Sequence, residues 1–67
     1  MTFTDAKRIA AVLKSHKPDP ESGTVGEKLL WARLVKTMRE ACYEAVSGRN
    51  YAAWNEDQWN TASGWEG

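Results

Sequence analysis

The chain has 67 residues, a formal net charge of zero from nine Lys and Arg against nine Asp and Glu, and a single Cys. One domain of this size sits where a single hydrophobic core leaves little net stability, and a lone Cys excludes both an internal disulfide and a Cys-based metal cluster as reinforcement. The charge balance also removes the general attraction on which binders of nucleic acid and of anionic membranes rely.

Thr2-Phe3-Thr4-Asp5 offers two helix N-caps, with Asp5 placed well for the positive end of the helix dipole. Phe3, Ala6, Ile9, Ala10 and Leu13 then recur at helical spacing opposite Lys7, Arg8, Lys14 and Ser15, which predicts a first helix over about 5–16. Pro18 and Pro20 cannot continue it, so residues 17–23 form a loop. That loop reverses the chain but is too long for the tight turn of a helix-turn-helix DNA reader.

Thr24-Val25-Gly26-Glu27 matches a capping box, and Ser47-Gly48 supplies a residue suited to closing a helix, so the second and longest helix is expected over about 25–47. Leu30, Ala41, Leu34, Ala45, Met38, Trp31, Cys42, Val35 and Val46 fall in one arc of roughly 160°, a wide core stripe. Val25, Leu29 and Tyr43 lie off it. Asn50 is a plausible cap for a third helix over about 51–61, with an irregular Trp-pinned arm as the competing picture. At 1.5 Å per residue the long helix spans roughly 34 Å and each short one roughly half of that. The first helix would then cover the N-terminal half of the long one, and the Trp-bearing segment the C-terminal half.

The expected fold is therefore all-α: one domain, residues 1–67, built as an antiparallel helix hairpin plus a short C-terminal Trp-bearing helix or arm. No stretch approaches the roughly 18 apolar residues of a membrane span and no signal-peptide pattern is present, so a soluble, unexported, cytoplasmic protein without a membrane partner is expected.

Chemistry-bearing motifs are sparse. His16 and Cys42 are the one conceivable nucleophile and base, but His16 belongs to a helix end, Cys42 to the core stripe, and no third group orients them. Asp19, Glu21 and Glu27 lack the spacing of a calcium loop. No enzyme activity, metal or cofactor is expected.

Four Trp in so short a chain are the main functional hint. Trp54, Trp59 and Trp65 follow at spacings that fit neither a helical face nor a strand, so one regular element cannot aim all three into one core. The leading expectation is a protein-binding module whose surface comprises Leu29, Tyr43, Tyr51, Trp54, Trp59 and Trp65. In style it is similar to the small accessory or inhibitor proteins common in bacteriophages. The alternative is a nucleic-acid-binding or structural homodimer using Lys28, Arg33, Lys36, Arg39 and Arg49 on phosphates, although neutral charge counts against nucleic acid.

Overall fold

The polypeptide forms three α-helices, α1 (Phe3–Ser15), α2 (Val25–Asn50) and α3 (Glu56–Ser63), with a 3-10 turn over Tyr51–Ala53 between the last two. This computed structural model describes residues 1–65, the side chains of residues 49–51 excepted. Among the described residues there is no strand, so the all-α reading is borne out.

α2 starts at the cap the sequence gives it, whereas α1 starts at Phe3, two residues before the expected 5, because Thr2 is the one of the two candidate caps that is used. The Thr2 hydroxyl accepts the Asp5 N–H at 3.2 Å, and the Thr24 hydroxyl accepts that of Glu27 at 3.1 Å. Between them Asp19 organises the loop, its carboxylate accepting the Glu21 N–H at 2.8 Å while its carbonyl accepts that of Gly23 at 2.8 Å. Gly23 approaches so closely that a Cβ there would stand 2.7 Å from the Asp19 carbonyl oxygen.

The end of α2 corrects the sequence reading. The helix passes through Gly48 and ends at Asn50, because Gly terminates a helix only by entering the left-handed region and Gly48 does not. The glycine that does so is Gly64, at φ 74°, where its N–H and that of Trp65 return to the Thr61 and Asn60 carbonyls and close α3. The third helix accordingly begins five residues later than expected. Asn55 rather than Asn50 caps it, its side-chain oxygen accepting the Gln58 N–H at 3.0 Å.

The molecule measures 40 × 17 × 15 Å, and the long dimension is that of α2, whose 26 residues span about 39 Å. α1 and α3 do not divide α2 end to end. They run side by side along one face of it, both antiparallel to it, and share their most extensive contact with each other. Ala6 and Ala10 are fully buried in that contact, and their small side chains let the two helices approach closely. Leu13, near the C-terminus of α1, meets Trp31, whereas Phe3 at the opposite end packs on Trp54, which in turn touches Tyr43. α1 therefore extends well past the middle of α2.

The core comprises Ala6, Ala10, Leu13, Val35, Cys42, Val46 and Trp59, with Trp31 and Met38 packed at its margin. Only a narrow seam of α2 is buried. Leu30, Leu34, Ala41 and Ala45, four of the nine residues expected inside, are exposed, because α1 and α3 stack on one another and leave one side of the expected arc uncovered.

Two indoles fasten α1. Trp59, with 0% of its surface exposed, donates its ring N–H to the Ala6 carbonyl at 3.0 Å, and Trp31 donates to the Leu13 carbonyl at 2.8 Å. Lys17 adds a clasp, its Nζ donating to the Gly64 carbonyl at 2.7 Å while lying 5.4 Å above the Trp31 ring. Replacement Trp59→Ala is expected to cost about 3–5 kcal/mol, enough to abolish cooperative urea unfolding in so small a domain. Trp59→Phe, which keeps a ring and loses the donor, should cost about 1–2 kcal/mol in the same measurement. Gly64→Ala should cost about 1–2 kcal/mol through its left-handed backbone.

Candidate protein-binding groove

Trp54, Trp59 and Trp65 all turn inward because two irregular residues reset the chain between them. Asn55 is extended, with φ −130° and ψ 102°, and Gly64 is left-handed, so Trp54 and Trp65 flank α3 rather than belonging to its helical phase. Trp59 is fully buried and Trp31, Trp54 and Trp65 are partly buried. The expectation of an exposed Trp is thus not met. Trp59 belongs to the core, and Trp65 covers Trp31 with ring centroids 6.4 Å apart.

Trp54 is the aromatic that reaches the surface in company. Its ring stands edge-on to Phe3 at 5.4 Å and to Tyr43 at 5.6 Å, and packs on Trp59 at 6.2 Å. Tyr43 is 47% exposed. Together with Arg39, Glu40, Glu44 and Glu56 these two rings line an open groove of about 520 Å³. Arg39 is engaged across it, 3.7 Å from the Glu56 carboxylate and 3.4 Å from the Asn60 side-chain oxygen, which joins α2 to α3. Three carboxylates against one guanidinium give the rim an acidic balance.

The structure thus joins Tyr43 to Trp54 and separates the other sequence candidates from them. Leu29 is exposed but stands fourteen residues before Tyr43, about 21 Å along α2. The Tyr51 and Arg49 side chains lie outside the described residues. The basic candidates do not form one strip: Lys28 Nζ donates to the Pro20 carbonyl at 2.8 Å and Arg39 is held by Glu56, while Arg33 and Lys36 point into solvent. What the sequence does not show is the grouping of Glu56 with Glu40 and Glu44 in one acidic rim, because Glu56 reaches Arg39 only through the turn at Asn55.

His16 is an exposed helix end and Cys42 is 1% exposed in the α2 seam, so the two do not meet as nucleophile and base. Among the described residues no cluster of His, Cys, Asp or Glu could hold a metal ion, and no helix is long and apolar enough to cross a membrane. Burial raises the Cys42 thiol above its ordinary 9.0, opposed in part by the Trp59 indole. The backbone N–H groups of Glu21 and Ser22 hold the Asp19 carboxyl below its ordinary 3.8.

These shifts have opposite signs in stability. The thiol's contribution is complete below pH 9.0 and is lost as pH rises through its higher folded value. The Asp19 contribution is complete above pH 3.8 and is lost as pH falls through its lower folded value. Native protein at pH 8 should therefore resist a thiol reagent that modifies it at once in urea. Carboxyl-detected NMR should place the Asp19 midpoint below 3.8.

Compared with known protein families, curated proteins and solved structures, the chain matches none.

Proposed function

We infer that the protein is a small non-enzymatic binding module that holds a cationic segment of another protein in the Tyr43–Trp54 groove. The observation that carries this reading is the edge-on Tyr43–Trp54 pair beneath a rim of Glu40, Glu44 and Glu56. Aromatic faces attract Arg and Lys through their quadrupole, and neighbouring carboxylates add charge-assisted hydrogen bonds. Tyr and Trp at the margin of a rigid core, here a half-exposed Tyr43 and a partly buried Trp54, are also the residue types that dominate interface energetics, since ordering them costs little entropy. The groove has that backing: Trp54 rests on Phe3 and Trp59, so the floor is fixed before a ligand arrives. A module this small acts by occupying or tethering its target, as an accessory or inhibitor protein does.

The reading is checked by selecting peptides from a random display library on the full chain and measuring their affinities. The expected peptides carry Lys or Arg at a fixed position, and Tyr43→Ala and Glu40→Lys each weaken them roughly tenfold or more with helicity unchanged. Peptides without a basic residue, or undiminished binding to Tyr43→Ala, would refute it.

A further inference from the structure

The second surface lies on the other side of α2 and meets the groove only at Glu44. Leu30 and Leu34 are 68% and 49% exposed, and Ala41 and Ala45 are exposed beside them. At 100° per residue these four fall within about 60° of arc, in a straight apolar stripe that α1 and α3 leave uncovered. The stripe is graded along its length, with large side chains in its N-terminal half and small ones in its C-terminal half. One edge carries charges in matching order: Arg33 beside the leucines and Glu44 beside the alanines, both exposed.

We propose that this stripe is the interface of a homodimer in which two copies of α2 lie antiparallel, with the two-fold axis near Thr37 and Met38. In that arrangement Leu30 faces Ala45 of the second copy and Leu34 faces Ala41, so each large side chain meets a small one and the helices pack evenly along the stripe. Arg33 comes opposite Glu44 at both ends of the dimer. A parallel pair would stack leucine on leucine and alanine on alanine, opening a gap at one end, and would carry the Arg33 and Glu44 edges of the two copies to opposite sides of the interface, where they do not pair. Size grading and charge order therefore select both the occupant and its direction. A core of few residues, without disulfide or metal, gives the pairing a role in stability, since a folded partner stabilises by mass action.

The test is sedimentation equilibrium of the full chain over a wide concentration range. A monomer–dimer equilibrium is expected, weakened roughly tenfold or more by Leu34→Glu while circular dichroism shows the helices retained. Arg33→Glu and Glu44→Arg should each weaken it, and the double variant should restore it, because every chain then carries both exchanged charges. Direction is read by oxidative cross-linking: chains with Leu30→Cys mixed with chains with Ala45→Cys should form the mixed disulfide, whereas Leu30→Cys alone should not cross-link to itself. A monomer at all concentrations, a dimer indifferent to Leu34→Glu, or a Leu30→Cys self-disulfide overturns the proposal. Tyr43→Ala should leave the dimer intact, so loss of the groove reading and loss of the dimer are distinguishable.

Discussion

The fold depends on one buried hydrogen bond and on the residues small enough to permit it: the Trp59 indole N–H on the Ala6 carbonyl. An indole is too large to enter a helix pair unless the facing helix is flat there, and Ala6 and Ala10 make it flat. Once inside, its N–H must find an acceptor, and a helix carbonyl keeps capacity for a second bond after serving its own ladder. The result is a pair, α1 and α3, held more intimately to each other than either is to α2. Trp31 and Lys17 repeat the device at the other end, where an indole and an ammonium both reach backbone carbonyls. Polar satisfaction and apolar burial thus come from the same side chains.

How far the chain announced this varies by element. The caps at Thr2 and Thr24 and the loop at Pro18 and Pro20 are local events, decided by a hydroxyl within reach of an N–H or by a ring that removes one, and local events are legible. The end of α2 was not. Gly48 and Gly64 are the same residue type after a helical run, and what separates them is whether the chain must turn back there. The chain turns at Gly64, between α3 and Trp65, with the Lys14 side chain 3.3 Å from where a Cβ would stand. The same tertiary decision moved the third helix from an Asn50 cap to an Asn55 cap. Periodicity also overstated the core. It identified the apolar arc of α2 correctly, but the width that is buried depends on how many neighbours lie on it. Two helices stacked on each other cover less of a third than two placed end to end.

The site was legible in its residue types and illegible in its grouping. Tyr43 and Trp54 are conspicuous in the sequence, yet so are Leu29, Trp59 and Trp65, and spacing alone assigned all of them to one surface. Backbone breaks at Asn55 and Gly64 sort them differently: Trp59 enters the core, Trp65 closes over Trp31, and Trp54 comes to the margin beside Tyr43. A spacing that fits no regular element is therefore a sign of irregular residues between, as much as of exposed side chains.

The two surfaces of α2 also constrain one another. Tyr43 and the Leu30–Ala45 stripe project from nearly opposite sides of the helix, so pairing through the stripe leaves each groove open, and a two-fold dimer presents two grooves facing away from each other. A target with one cationic segment gains nothing from that arrangement. A target with two gains avidity only if its linker spans the width of the dimer, since effective concentration vanishes when the tether cannot reach. Glu44 stands on the boundary between the surfaces, lining the groove while edging the stripe. A carboxylate neutralised by Arg33 of a second copy attracts a bound cation less, so dimerisation should moderate the charge of the groove while leaving its aromatic floor untouched. Any coupling between self-association and ligand binding then runs through that one side chain, and it is negative in sign.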